Sequence, residues 1–171
     1  MSIETSRLKL RWLDLDDAAF IYRLVNDPAW LRFNGDKAVA NLDDARSYLE
    51  SGPLAIYRRQ GFGLNRVALK DSGTAIGLCG ILQCDSLAEP DLGFALLPEY
   101  RGQGFAFEAA IAVLEHARAK LEISRIAAIL TPDNMASSTL LDKLGFAFEK
   151  KYQEEPNSDI LDLYVFEHRS F

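Results

Sequence analysis

The densest chemical signal in the chain is Leu96-Leu97-Pro98-Glu99-Tyr100-Arg101-Gly102-Gln103-Gly104-Phe105-Ala106. An apolar strand stops, a short loop with two glycines follows, and a long helix starts almost at once. Backbone N–H groups at a helix start have no acceptors within the helix, and the helix dipole adds partial positive charge there. Together they make an anion site suited to phosphate. Gly102 and Gly104 let the backbone approach a ligand without a Cβ in the way. Arg101 can add a charged fork at the same place. The plain alternative is a strand-to-helix turn with an exposed arginine. The loop lacks the Gly-x-x-x-x-Gly-Lys-Ser/Thr pattern of nucleotide phosphate loops. Nor is it Gly-x-Gly-x-x-Gly, because Phe107 stands where the third glycine belongs.

The elements that must position this loop follow from periodicity. Leu8, Leu10 and Trp12 alternate with Lys9 and Arg11 as in a strand. Phe20, Ile21, Leu24 and Val25 form the apolar face of a helix that ends before Asn26-Asp27-Pro28. Asn41 opens a second helix, faced by Leu42, Ala45, Tyr48 and Leu49 and interrupted at Ser51-Gly52-Pro53; Leu54 to Gln60 stays unassigned. Leu64 to Leu69 and Ala75 to Leu82 flank Asp71-Ser72-Gly73 as a hairpin. Gly77 and Gly80 inside its second strand mark a bulge or a close backbone approach. Asp91 to Leu97 is nearly all apolar and reads as a central strand. The spacing predicts a helix over 102–120, with Ala109, Ala110, Val113, Leu114 and Ala117 on its inner face. A strand from Ile126 to Leu130, a helix from Met135 to Leu144 closed by Gly145, and a hairpin of Phe146 to Tyr152 with Leu161 to Phe166 complete the order. Strands cluster in the middle and do not alternate with helices. The expected fold is therefore α/β of the α+β kind: a mixed, mostly antiparallel sheet of six to seven strands with helices on both faces.

Composition narrows the function classes. The chain has 171 residues and a formal charge of −6, from 19 Lys and Arg against 25 acids. One domain over 1–171 is expected at this length. The acidic balance argues against a nucleic-acid partner. No apolar run approaches the ~20 residues that span a bilayer, and the first residues lack a signal core, so a cytoplasmic protein with no membrane partner is expected. Cys79 and Cys84, on one strand, fall on opposite faces and cannot bridge there. No His, Cys and Asp cluster has metal-ligand spacing, so no metal is expected.

Arg101-Gly102-Gln103-Gly104-Phe105-Ala106 resembles the Gln/Arg-x-x-Gly-x-Gly/Ala signature of the GNAT superfamily of acetyl-coenzyme A-dependent N-acetyltransferases. Further segments match in order. Ile76-Gly77-Leu78-Cys79-Gly80 resembles the family's third strand, and Leu92-Gly93-Phe94 through Tyr100 its fourth. Asn134-Met135-Ala136-Ser137, then Leu140-Leu141-Asp142-Lys143-Leu144-Gly145-Phe146, resembles the Asn-x-x-Ser and Glu-Lys-Leu-Gly-Phe segment of the branch holding ribosomal-protein N-terminal (alanine and serine) acetyltransferases. Glu4 to Arg11 is similar to that branch's opening strand. The resemblance runs from Glu4 to about Phe166.

That resemblance implies a GNAT-like acyl-coenzyme A N-acyltransferase fold with acetyl-coenzyme A as co-substrate. Backbone amides of Arg101, Gly102, Gln103, Gly104, Phe105 and Ala106 would hold the pyrophosphate. In the family the fourth strand is bulged and splays from the fifth, so the backbone of Leu96 and Leu97 would pair with the pantetheine arm, and Asn134 would contact its end. The reaction implied is direct attack of a neutral amine on the thioester. A carboxylate removes the amine proton, and Asp91, where the branch often has an acid, is the candidate; Glu89 is its rival. Many members protonate the leaving thiolate from a tyrosine at the position of Leu141; here that tyrosine is missing, and Ser137 is the branch's substitute. The surface readings compete: Ser137 as a polar residue in a first helical turn, Asp91 as a strand end. Glu108, His116 and His168 read as surface groups. Trp30, Leu31, Phe33 and Asn34 fall where the family shapes its acceptor cleft, and can equally be core. Asp27, Asp36, Asp159 and Asp162 read as scattered, solvated acids. The acceptor implied is a peptide α-amino group, with a polyamine or aminoglycoside as the alternative and a non-catalytic acyl-coenzyme A sensor as a third reading. Homodimers are common in the family, and the sequence itself shows no interface.

Overall fold

The computed structural model describes residues 2–168. Eight strands form one sheet: β1 (Ser2–Glu4), β2 (Leu8–Trp12), β3 (Leu64–Leu69), β4 (Ala75–Leu82), β5 (Asp91–Leu96), β6 (Arg125–Leu130), β7 (Ala147–Tyr152) and β8 (Leu161–Glu167). Their spatial order is β1-β2-β3-β4-β5-β6-β8-β7. Every neighbouring pair is antiparallel except β5 with β6. The strand beyond the expected seven is β1, which at three residues is too short to show an alternating pattern.

Six α-helices complete the fold: α1 (Ala18–Val25), α2 (Pro28–Asn34), α3 (Leu42–Leu49), α4 (Ala55–Gln60), α5 (Phe105–Leu121) and α6 (Met135–Leu144). The unassigned segment Leu54 to Gln60 is α4, and the expected interruption at Ser51-Gly52-Pro53 is a π-turn, Glu50–Leu54, that carries the helical path from α3 into it. The wide turn lets Pro53 sit in a helical path without an amide to donate. The unexpected helix is α2. Its start signal is in the sequence, with Asp27 as the capping residue and Pro28 in the first turn.

Two buried clusters lie on opposite faces of the sheet. Leu78 joins Ile21, Leu24, Trp30, Ala45, Leu49 and Tyr57 from α1 to α4. Its neighbour Cys79 joins Phe105, Ala109, Val113, Leu114, Leu141 and Leu144 from α5 and α6, as strand alternation demands. Ile76 breaks that alternation and packs with Cys79. The register shows why: Val67 faces Gly77 while Ala68 faces Ala75, so Ile76 is the extra residue of a bulge. The bulge expected in the fourth family strand is thus found one strand earlier, since β5 runs beside β4 without any register shift.

The glycines of β4 mark close approach. A Cβ on Gly80 would lie 2.2 Å from the Gly63 carbonyl oxygen, and one on Gly77 would lie 2.2 Å from that of Ala95. Among the described residues no helix is long and apolar enough to cross a membrane. Gly80→Ala is expected to lower stability by about 1–3 kcal/mol or more, because backbone must move to admit the methyl group. Gly52→Ala, with nothing within 4 Å of the added carbon, should leave the thermal midpoint nearly unchanged. Equal midpoints for the two variants would contradict the close approach.

Candidate active site

The site is built where β5 leaves β6. These parallel strands share one bridge, Asp91 opposite Ala127, with the Ala127 N–H donating to Pro90 O at 2.8 Å. Beyond it they part. On its other side β5 is fully paired with β4, from Leu82 opposite Asp91 to Gly77 opposite Leu96. The Leu97 N–H donates to Ile76 O at 2.8 Å, which makes Leu96 and Gly77 a non-hydrogen-bonded pair. By alternation, Phe94 and Leu96 aim their backbone groups away from β4, into the gap beside β6. Leu97 does not: its amide is used, its side chain is 2% exposed, and it lines no cavity there. The sequence motif pointed to Leu96 and Leu97; the geometry selects Leu96 and adds Phe94, a residue findable only from the strand register.

After β5, the chain turns through Pro98–Tyr100 and enters α5. Gly102 and Gly104 have φ of +70° and +81°, a region that L side chains rarely adopt. Gly104 is the cap residue of α5 and supplies no side-chain acceptor. The N–H groups of the first turn therefore have no capping side chain, and they face a cavity of about 950 Å³ lined by Gly102, Gly104, Phe105, Ala106 and Phe107. Glycines with positive φ, an uncapped helix start and an adjoining gap with free strand amides fit an extended pyrophosphate-bearing thioester. Gln103 points elsewhere, its side chain donating to Glu99 O at 2.8 Å.

Arg101 lines this cavity, but its guanidinium is committed inside the protein. Nη2 donates to Asp27 Oδ2 at 2.6 Å and Nε to Leu96 O at 3.0 Å. What the sequence presents as a fork for phosphate is a brace across the loop. Its partner corrects a second expectation: Asp27 is 7% exposed, not a solvated acid. The same Oδ2 accepts from the N–H groups of Ala29 and Trp30 at the start of α2. One carboxylate thus ties the loop after β5 to the helix that carries Trp30, Phe33 and Asn34. The far side of the loop is held by Arg7, which donates to Gln103 O at 3.1 Å, pairs with Glu108 at 2.6 Å and lies over the Phe105 ring. Glu108 also accepts from Thr5, so it is an anchor for α5 rather than plain surface.

A second cavity, about 300 Å³, continues from the first. Trp30, Phe33, Asn34, Phe94, Asn134 and Ser137 line both. Asn134 caps α6, its Oδ1 accepting the Ser137 N–H at 3.2 Å, which fixes Ser137 in the first turn at the junction. Asp91 lies in the wall of the second cavity, 7% exposed. Burial pushes its carboxyl above the ordinary range, partly offset by the Cys84 thiol 3.3 Å away. Burial, then the Asp91 charge, push that thiol up to about 12, so it stays protonated and donates. Glu89 is paired with Arg125 at 2.9 Å and lines neither cavity. Leu31 is exposed outside both, and Asp162 pairs with Lys151. His168 Nε2 lies 3.1 Å from Leu114 O, and His116 is half-buried on α5 away from both cavities. Leu141, where a family tyrosine could stand, is fully buried. No cluster suited to a metal ion occurs among the described residues.

Replacing Asp27 separates its two duties. Asp27→Asn keeps an oxygen for the α2 cap and removes the charge facing Arg101; Asp27→Ala removes both. The alanine variant should lose roughly 1 kcal/mol more than the asparagine variant, the cost of a missing cap. Both should raise the apparent KM for the ligand of the large cavity about tenfold, read by initial rates. An unchanged KM in both would show that the brace does not hold the loop.

Comparison with known proteins agrees with this geometry. Residues 7–147 match the acetyltransferase (GNAT) domain family. An uncharacterized N-acetyltransferase of Bacillus subtilis, YoaA, is 30% identical over 149 residues, covering 86% of this chain and 83% of its own. An acetyltransferase from Agrobacterium tumefaciens superimposes with a TM-score of 0.82 at 22% identity, covering 98% of this chain and 95% of its own. A ribosomal L7/L12 α-N-protein acetyltransferase in complex with coenzyme A gives 0.80 at 18% identity, covering 98% of both. At those identities the structures establish the fold; the family match carries the activity. The uncapped α5 start, the strand gap beside it and the family match together place this chain in the GNAT family, as an acetyl-coenzyme A-dependent acetyltransferase.

Proposed function

We propose that the protein transfers the acetyl group of acetyl-coenzyme A to a peptide α-amino group, by direct attack with both substrates bound. The observation that carries this reading is the meeting of two cavities at Ser137, Asn134 and Phe94. A site for the thioester and a site for an amine then share one wall. Kinship in fold with a ribosomal-protein α-N-acetyltransferase supports the peptide as acceptor.

Acetyl-coenzyme A, when bound, supplies an activated acyl carbon. The N–H groups from Gly102 to Ala106 hold its pyrophosphate, since the Arg101 N–H already donates to Pro98 O, and the free backbone groups of Phe94 with the Leu96 N–H orient its arm along the gap. The Phe94 N–H also faces the place where negative charge gathers on the acyl oxygen, and a fixed dipole there lowers the barrier. Asn134 positions the end of the arm. Asp91 takes the proton of the ammonium through water, and its raised affinity for protons, set by burial, suits it to that work. The amine nitrogen bonds the acyl carbon, the carbon–sulfur bond breaks, and the sulfur leaves with the electron pair. Ser137 Oγ, at the junction, gives that sulfur its proton and takes back the one the new amide nitrogen sheds, so the hydroxyl is restored.

Asp91→Asn should cut turnover about 10²–10³-fold, within the usual range for a general base, with coenzyme A affinity unchanged. Ser137→Ala should cost about tenfold, less because a thiolate is a stable leaving group. Asp91 acts ionised, so the rate falls as pH drops through its folded-state value. Burial raises that value, so the acid limb lies above that of an ordinary aspartate. Cys84→Ala removes a hydrogen bond that favours the ionised form, and should move the limb to still higher pH. The raised value also makes ionised Asp91 a burden on the folded state: its stabilising contribution is complete at low pH and lost as pH rises through that value. Asp91→Asn should therefore keep or raise the thermal midpoint at neutral pH. Wild-type turnover in Asp91→Asn would remove the base from this scheme.

A further inference from the structure

The second cavity has a chemical character that narrows the acceptor further. Its walls bring Leu64, Leu78, Leu82, Leu161, Phe33 and Trp30 together with the polar groups of Asn34, Thr131, Asn134 and Ser137. Asp91 is the one charged residue among all its lining residues. A polyamine or an aminoglycoside carries several ammonium groups, and each one buried without a carboxylate is strongly disfavoured. One acid answers one ammonium. The room also has a size. At the ~30 Å³ a water occupies, about 300 Å³ holds roughly ten non-hydrogen atoms. A phenylalanyl or leucyl residue has about that many; an alanyl or seryl residue has about half.

Resting on acetyl transfer to a peptide amine, we propose that the acceptor is a peptide whose first residue carries a large apolar side chain. That side chain fills the part of the second cavity lined by Leu64, Leu78, Leu82 and Leu161, and the peptide's ammonium is answered by Asp91. The cavity selects against polycations and gives little contact to Ala or Ser.

The test measures thiol release from acetyl-coenzyme A with peptides identical except for a first Phe, Leu, Ala or Ser, and with phenethylamine, spermidine and kanamycin. The Phe and Leu peptides should exceed Ala and Ser at least tenfold in kcat/KM, with the polycations silent. Phenethylamine should be turned over more weakly than the Phe peptide. Leu161→Trp, which fills the leucine-lined part of the cavity, should reverse the order of Phe and Ala peptides while coenzyme A affinity, the check on folding, holds. Release that is equal for all peptides, or greatest with a polycation, overturns this proposal and leaves acetyl transfer standing. Release with no amine overturns the transfer reading itself, and this proposal with it.

Discussion

Two parallel strands joined by a single bridge leave the later backbone N–H and C=O groups along their facing edges without a partner in the sheet, and buried groups of that kind must be satisfied by something. In this protein the bridge is Asp91 against Ala127. The reason the strands part lies in their other neighbours. β5 is bound along its whole length to β4, and β6 is bound from Arg125 to Leu130 along β8. Each strand follows the twist of its own antiparallel block, so the seam between blocks closes at one end only. The gap is thus a consequence of sheet geometry. The core under α5 and α6, which joins Leu92 and Cys79 to Ile126 and Ala128, holds the two blocks together across the seam.

Around that gap, acids of similar chemistry have separate duties, each set by surroundings. Asp27 meets a guanidinium and two helix amides, and acts as a structural joint. Glu108 accepts from Thr5 and Arg7 and anchors the start of α5. Glu89 is shared with Arg125. Asp91 meets only a thiol in a mostly apolar setting, and so is the acid whose proton affinity rises. A carboxylate near a site is a candidate base when its partners leave its charge under-compensated, and the pairing of the others is what singles Asp91 out.

The joint at Asp27 also gives the two cavities a mechanical relation. Arg101 belongs to the loop beside the large cavity, while α2 forms the wall common to both. One carboxylate therefore joins the loop beside the large cavity to the start of the helix that carries Trp30 and Phe33.

By itself the sequence determined what depends on neighbours along the chain. The stop of β5, the glycines at 102 and 104, the periodic face of α5 and the Asn134 cap are each set within one turn or a few residues, so their types and spacing sufficed to mark an anion site and a family. Asp27-Pro28 is equally legible as a helix start. Tertiary structure decided what depends on residues far apart. The Arg101–Asp27 contact spans 74 positions, and Trp30 lines the same cavities as Asn134 and Ser137 from a distant part of the chain. Which of Leu96 and Leu97 faces the gap is a matter of register with Ile76 and Gly77, and a one-residue change in register reverses it. Whether an acid is buried, paired or free is fixed by packing around it, and composition carries no trace of that.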